Sequence, residues 1–156
     1  MKIIKLIDKD DLIFIAGHKG MVGSAIRKRL MQKGYKNLLF AERKELDLRN
    51  DIDVKKWFKI NKPSVVIIAA AKVGGIFANS EYPAEFLLDN LKIQNNLIEN
   101  SFIHEVKRLL FLGSSCIYPK FAKQPISEEE LLSGYLEKTN EPYALAKICG
   151  IKLCQS

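Results

Sequence analysis

The sequence of 156 residues contains few cysteines, and Cys116, Cys149 and Cys154 form no CxxC pair. An odd number of widely spaced cysteines argues against a disulfide framework and a structural zinc site, so we expect no metal. Long apolar runs are also missing, because none approaches the roughly 20 residues that span a bilayer. The first residues resemble a secretory signal only superficially, since Lys5 interrupts a short apolar stretch that acidic residues close. The sequence therefore predicts a cytoplasmic protein without a membrane partner.

The charge is unbalanced toward the basic side, with a net charge of +7 at pH 7. The lysines and arginines are nevertheless scattered, and the sequence lacks a basic block interleaved with aromatic residues, so nucleic acid is not the expected partner. A basic surface also attracts small polyanions such as a dinucleotide or a nucleotide sugar. We therefore expect a small-molecule partner.

What the sequence has is an alternation of apolar runs with amphipathic stretches, which is typical of a doubly wound α/β sheet. Strands are predicted over residues 12–16, 38–41, 64–69 and 108–113. Helices are predicted over 21–33, 51–61 and 83–104 and from Asn140 onward, with Asn140 as the cap and Pro142 in the first turn. At this length we expect one domain, a Rossmann-type parallel sheet over 1–156.

A glycine triplet, Gly17, Gly20 and Gly23, follows the first predicted strand and opens the first predicted helix. Glycines let the backbone approach a pyrophosphate, whose charge is met by the helix N-terminus. The GxxGxxG spacing resembles that of the extended short-chain dehydrogenase/reductases. A tight turn without a ligand is the alternative, but the strand before and the helix after favour a dinucleotide site. The predicted loop residues are Gly17, His18, Lys19, Gly20, Met21, Val22 and Gly23.

The residues that would meet the 2′ position of the cofactor do not all favour the same cofactor. Lys19 and Arg43 could both reach a 2′-phosphate, whereas Glu42 could accept a bond from a ribose hydroxyl and repel phosphate. Two cations against one acid favour NADP(H) over NAD(H). Further predicted cofactor contacts are Asp47 and Leu48 at the adenine and, along its path, Ala70, Ala71, Leu112, Gly113, Ser114, Ser115, Tyr143 and Lys147.

Tyr143 and Lys147 are four residues apart in the last predicted helix and therefore share one face. An ammonium group nearby lowers a tyrosine pKa of about 10 by about 1–3 units, toward the range of a useful general acid. Ser114, at the end of the fourth predicted strand, could donate a hydrogen bond to a substrate carbonyl that becomes negative during reduction. The alternative is an ordinary tyrosine and lysine on an amphipathic helix. The pattern favours reduction of a carbonyl by a nicotinamide cofactor.

Cys116 lies two residues after Ser114 and could be either a small buried residue or an acid/base beside Lys120. Cys149 and Cys154, on the last predicted helix, are expected to lie in the hydrophobic core. Neither histidine, His18 or His104, is placed as a catalytic partner.

Five segments, residues 14–26, 69–76, 111–120, 124–125 and 139–147, resemble the GDP-L-fucose synthase family. The resemblance implies NADPH-dependent conversion of GDP-4-keto-6-deoxy-D-mannose to GDP-L-fucose by epimerisation at C3 and C5 and reduction at C4. It implies that Ser114, Tyr143 and Lys147 are the reductase triad and that Cys116 is an acid/base of the epimerisation. It also implies a homodimer of the full-length enzyme.

Two departures from the family pattern stand out. Glu42 occupies the position of a small polar residue, and the family continues beyond Ser156. We therefore expect the last strands, the substrate domain and the histidine that pairs with the cysteine to be absent, and the chain alone to be poorly stable and inactive. Two alternatives remain: another sugar-nucleotide epimerase or dehydratase of the superfamily, and a cofactor-binding module without catalysis.

Overall fold

The computed structural model describes residues 6–156, which divide into two compact units. The first unit comprises residues 6–70 and 92–112, and the second comprises 71–91 and 113–156. The assignment of 1–156 to one incomplete nucleotide-binding domain stays a prediction. No helix in the described part of the chain is long and apolar enough to cross a bilayer.

The first unit contains a parallel four-stranded sheet with the order β2-β1-β3-β4. The strands are β1 (Ile13–Ala16), β2 (Leu38–Leu39), β3 (Val65–Ile68) and β4 (Arg108–Phe111). The helices of the chain are α1 (Met21–Gln32), α2 (Asp51–Asn61), α3 (Ile76–Glu81), α4 (Pro83–Ile103) and α5 (Glu141–Gln155). Short 3₁₀ turns lie at Ser115–Ile117 and Glu128–Glu130. The predicted parallel α/β fold is confirmed.

The core of the first unit lies on both faces of β1 and β3, whose residues are all buried. On one face Phe14 and Val66 belong to a cluster with α2 and α4; on the other, Ile13 and Val65 pack with α1. A continuous run of β-branched and aromatic residues suits a strand that is covered on both faces. β4 is less buried, and its residues alternate between exposed and partly buried.

The predicted helix boundaries hold where local signals set them. α2 begins and ends at the predicted residues, and the Asn50 side chain accepts a hydrogen bond from the Asp53 amide at 3.3 Å. Gly34, with φ of +80°, follows the end of α1 as the pattern predicts. The Asn140 side chain was expected to cap α5, but within the described residues its Oδ1 atom is buried without a hydrogen-bond partner. Only the Asn140 backbone contributes, because its carbonyl accepts from the Ala144 amide at 2.9 Å.

A polar cluster at the start of β1 joins distant parts of the first unit. Asp11 Oδ2 accepts from the Asp8 amide at 2.6 Å, and Asp11 Oδ1 accepts from the Ser64 hydroxyl at 3.2 Å. The Lys107 ammonium lies 3.2 Å from Asp11 and 2.8 Å from Asp8. The hydrogen bond from the Asp8 amide, followed by those from Lys107 and Ser64, holds the pKa of Asp11 below its ordinary 3.8 despite burial.

Substitution of this carboxylate is expected to weaken the fold. We expect Asp11→Asn to lower the free energy of unfolding by about 1–2 kcal/mol near neutral pH, because hydrogen bonds to a charged acceptor are lost. A carboxyl group whose pKa falls on folding stabilises above its unfolded pKa, and this stabilisation is lost as the pH falls through the folded pKa. The difference between Asp11→Asn and the native chain should therefore shrink below the ordinary pKa of 3.8. Urea unfolding at neutral and acidic pH measures it. Asp10→Asn, on an exposed neighbour, is the control, and an equal effect of both variants would contradict the assignment.

Candidate active site

The glycine loop between β1 and α1 is shaped by two close backbone approaches. Gly17 has φ of +85°, and a Cβ atom there would lie 2.6 Å from the Ala70 amide nitrogen at the end of β3. A Cβ atom on Gly23 would lie 2.1 Å from the Gly17 carbonyl oxygen. The packing of the chain itself therefore requires glycine at both positions.

Gly20 differs from the other two glycines because a Cβ atom there would meet nothing closer than the Gly17 carbonyl oxygen, at 3.4 Å. Its backbone is extended, with φ of −69° and ψ of 168°, which any residue adopts. Gly20 is also the N-cap of α1, and in the described chain no side chain caps this helix and its first turn contains no acid. The open space lies beside uncapped amides at the positive end of a helix dipole, so this loop fits the pyrophosphate of a dinucleotide.

His18, within the loop, is buried, and its ring centroid lies 4.9 Å from that of Phe40. Burial, followed by the charges of Lys19 and Arg27, lowers its pKa. The imidazole is therefore neutral at physiological pH. That His18 is not a catalytic partner stays a prediction.

The residues predicted near the adenosine are engaged with one another. The Lys19 ammonium forms an ion pair with the Glu42 carboxylate. The Arg43 Nε atom lies 3.9 Å from an Asp47 carboxylate oxygen, and Arg49 donates to Asp47 from Nε at 3.0 Å and from Nη2 at 2.7 Å. The hydrogen bonds from Arg49 lower the pKa of Asp47 to about 2, so this carboxylate is charged at physiological pH.

In the second unit, Ser114 directly precedes the turn Ser115–Ile117, which carries Cys116. The other two predicted catalytic residues, Tyr143 and Lys147, lie on α5. The Cys116 thiol donates to the Ser114 hydroxyl at an Sγ–Oγ distance of 3.1 Å. The Ser114 side chain is hydrogen-bonded to the Tyr143 hydroxyl. The Lys147 ammonium lies 5.9 Å from the centroid of the Tyr143 ring, and Lys147 is only 3% exposed. Four side chains that the sequence separates by up to 33 positions therefore form one cluster.

The pKa of Tyr143 shifts against the direction expected from its neighbouring lysine. Burial, together with the nearby Cys116, raises the pKa of Tyr143 above its ordinary 10.0, and the Ser114 hydrogen bond opposes this only in part. Burial also lowers the pKa of Lys147. Desolvation therefore outweighs the attraction between a phenolate and an ammonium, and Tyr143 is a protonated donor at neutral pH.

The remaining predicted contacts lie on both units. Leu48 and Ala70 pack against the core of the first unit, where Leu112 also lies. Ala71, Gly113 and Ser115 belong to the second unit, where Gly113 and Ser115 are exposed. Their contacts with a cofactor stay predictions.

The prediction that Cys149 and Cys154 lie in the core is wrong. Cys149 and Cys154 are exposed on α5, because the stripe of α5 that carries Cys149 is not covered and Cys154 lies in its last turn.

The segment after β3 is held by Asn90, which accepts from the Lys72 amide and donates to the Lys72 carbonyl, both at 2.9 Å. Asn79 donates to the Gly74 carbonyl at 3.0 Å. The sequence offers one signal for this role of Asn90, because it lies four residues after Phe86 and therefore on the same buried face of α4.

Among residues 6–156, no group of histidine, cysteine and carboxylate side chains is arranged to hold a metal ion.

Residues 13–156 match the model of the NAD dependent epimerase/dehydratase family. The chain is 56% identical over 155 residues to GDP-L-fucose synthase 1 of Arabidopsis thaliana, covering 99% of this chain and 48% of that protein. It is 56% identical over 144 residues to the GDP-L-fucose synthase of Escherichia coli strain K12, covering 92% of this chain and 45% of that protein. The chain thus spans about half the length of the curated relatives it matches.

A solved structure of a related enzyme has the same fold as this chain. MlghC, the GDP-mannoheptose C4 reductase from Campylobacter jejuni with NADP bound, superposes with a TM-score of 0.92 at 43% identity, covering 95% of this chain and 47% of that one. The parallel sheet, the glycine loop and the sequence match agree. The chain belongs to the NAD dependent epimerase/dehydratase family.

Proposed function

We propose that this chain contributes the cofactor loop and the catalytic cluster of an NADP(H)-dependent enzyme that converts GDP-4-keto-6-deoxy-D-mannose to GDP-L-fucose. The observation that carries the proposal is the linked set of Cys116, Ser114 and Tyr143, with Lys147 buried one turn further along α5. Relatives with 56% identity are named GDP-L-fucose synthases, and a related structure contains NADP. The homodimer and the cytoplasmic location remain parts of the same proposal.

In the reduction, the cluster would supply a proton and stabilise negative charge. NADPH, when bound, supplies the hydride that reduces the C4 ketone. Tyr143 is the general acid for the C4 oxygen, and its raised pKa keeps it protonated at neutral pH. Ser114 donates a second hydrogen bond, which strengthens as the oxygen becomes negative and so favours the transition state. Lys147 would hold the nicotinamide ribose.

In the epimerisation, C3 and C5 both flank the C4 ketone, so loss of a proton from either carbon gives an enolate stabilised by that ketone. A base and an acid beside the sugar are then required. Cys116 is the candidate, because its thiol is hydrogen-bonded to Ser114, the residue that we assign to the C4 oxygen.

A second function, C4 reduction of a GDP-sugar without epimerisation, is favoured by one observation. The chain is 43% identical to a structure named as a GDP-mannoheptose C4 reductase, which superposes with a TM-score of 0.92. The two functions differ in whether protons at C3 and C5 exchange with solvent.

The experiment joins the chain to the part of the Escherichia coli synthase that follows the matched segment and assays this hybrid with NADPH and GDP-4-keto-6-deoxy-D-mannose. We expect GDP-L-fucose from the hybrid and no turnover from the 156-residue chain alone, since the relatives are about twice as long. A hybrid that binds NADPH but forms no reduced sugar would contradict the proposal.

Cys116→Ser separates the two functions. We expect deuterium uptake at C3 and C5 from D₂O to fall about 100-fold in this variant of the hybrid, because a hydroxyl is a far weaker acid/base, while NADPH affinity is unchanged. Cys149→Ser, on the exposed face of α5, is the matched control and should change neither quantity. If the unsubstituted hybrid reduces the sugar without solvent exchange, the C4 reductase is the correct function.

A further inference from the structure

We propose that Glu42 lowers the preference of this chain for NADP(H) over NAD(H) by holding Lys19 and by occupying the neighbourhood of the cofactor 2′ position. This inference rests on the proposed function, because it concerns the same cofactor site. It assigns to Glu42 a discriminating role in cofactor choice.

An ion pair joins the glycine loop to the turn after β2. The Lys19 ammonium is paired with Glu42 Oε1, and the Lys44 ammonium lies 3.8 Å from Glu42 Oε2. The hydrogen bond and the charge of Lys19 lower the pKa of Glu42, so its carboxylate is ionised at neutral pH. One of the two cations predicted to meet a 2′-phosphate is thus already neutralised by a carboxylate.

The Glu42 backbone is fixed by hydrogen bonds. Its amide donates to Glu45 Oε2 at 2.9 Å, and its carbonyl accepts from the amides of Glu45 at 2.8 Å and Leu46 at 2.9 Å. Leu46 is buried in the core cluster of the first unit, with an exposed fraction of 3%. The turn after β2 therefore fixes the Glu42 backbone, from which the carboxylate reaches Lys19. A phosphate bound there would displace this ion pair or lie beside a negative charge.

Arg43, the other cation predicted to meet a 2′-phosphate, is held less closely than Lys19. Its nearest carboxylate, Asp47, is 3.9 Å away and is already bound by two hydrogen bonds from Arg49. The Arg43 side chain is 75% exposed. Arg43 is therefore less closely paired than Lys19 and can turn toward a 2′-phosphate at a smaller cost. A ribose 2′-hydroxyl, by contrast, can donate to the Glu42 carboxylate, which favours NAD(H).

The size of the effect follows from charge. A 2′-phosphate carries nearly two negative charges. Its repulsion by a carboxylate a few ångströms away in water, screened by salt, corresponds to a factor of about 10 in affinity. The Lys19–Glu42 pair is exposed, so its removal is expected to change stability little.

The experiment is isothermal titration of the hybrid enzyme with 2′,5′-ADP and 5′-AMP, the adenosine ends of NADP and NAD. We expect Glu42→Gln to raise the affinity ratio of 2′,5′-ADP to 5′-AMP about tenfold, with the same shift in the ratio of NADP⁺ to NAD⁺. Glu99→Gln, which removes an exposed carboxylate from α4 in the same unit, is the charge-matched control and should leave the ratio unchanged. Adding Lys19→Met to Glu42→Gln should reverse most of the gain.

The outcomes separate the two proposals. If the hybrid without substitutions binds both mononucleotides and Glu42→Gln leaves the ratio of their affinities unchanged or lowers it, this inference is overturned and the cofactor site stands. If the hybrid without substitutions binds none of the four nucleotides, the proposed cofactor and this inference fail together. An equal rise in Glu99→Gln would assign the effect to net charge and would also overturn the inference.

Discussion

Tyr143→Phe in the hybrid enzyme is expected to lower the rate of NADPH-dependent reduction by about 10²–10⁴-fold, because the substrate oxygen loses its general acid. NADPH affinity should stay within about twofold, since the hydroxyl and not the ring is assigned to proton transfer. Stopped-flow absorbance of NADPH under single-turnover conditions measures the chemical step. Tyr135→Phe, at a tyrosine that is 95% exposed in the same unit, is the matched control.

The pH dependence of the same reaction tests the protonation state of Tyr143. Burial places the pKa of this hydroxyl above 10.0, so the acid is fully protonated at neutral pH. Loss of rate through deprotonation of Tyr143 is therefore expected to have its midpoint above the ordinary tyrosine pKa of 10.0. A fall in the rate of reduction centred near neutral pH that disappears in Tyr143→Phe would contradict this assignment.

Alanine substitutions in the glycine loop are expected to separate stability from nucleotide binding. In Gly23→Ala, the new Cβ atom would lie 2.1 Å from the Gly17 carbonyl oxygen, so the loop must shift. We expect the free energy of unfolding to fall by about 3 kcal/mol and nucleotide binding to be lost. In Gly20→Ala, the nearest atom is 3.4 Å away, so the change in stability should stay within about 1 kcal/mol. The affinity for NADP⁺ should nevertheless fall at least about tenfold, because the methyl group fills the space assigned to the pyrophosphate.

Gly75→Ala is the matched control for Gly20→Ala. Gly75 is also an N-cap with an extended backbone, and a Cβ atom there would meet nothing within 4 Å. Urea unfolding and calorimetry on the three variants test the distinction. Unchanged NADP⁺ affinity in Gly20→Ala would contradict the placement of the pyrophosphate beside the α1 N-terminus.

The elements that could be predicted from the sequence are those that local signals specify. The unbroken apolar run of β3 predicts burial on both faces, and the cap Asn50 defines the start of α2. Helix α3 was not predicted, because contacts outside it support its first turn. The Asn79 side chain binds the Gly74 carbonyl, and a Cβ atom on Gly74 would lie 2.9 Å from the Phe86 ring. β2 is shorter than predicted, since only Leu38 and Leu39 pair with β1.

The candidate site was predictable as a set of residue types but not as an electrostatic environment. The YxxxK spacing and the serine at a strand end identify Ser114, Tyr143 and Lys147, which the structure brings together. The direction of the Tyr143 pKa shift depends on how deeply α5 is buried, which the sequence pattern does not specify. The Lys19–Glu42 ion pair joins residues 23 positions apart and depends on the relative placement of two loops.

In the proposed function, this chain carries a cofactor loop for hydride transfer and a proton-transferring cluster for epimerisation. Reaction of the hybrid in D₂O with unlabelled NADPH, followed by NMR of the nucleotide sugar, tests both parts in one product. The proposed function predicts GDP-L-fucose with deuterium at C3 and C5 and protium at C4. Solvent deuterium at C4, or a reduced sugar with protium at all three carbons, would contradict it.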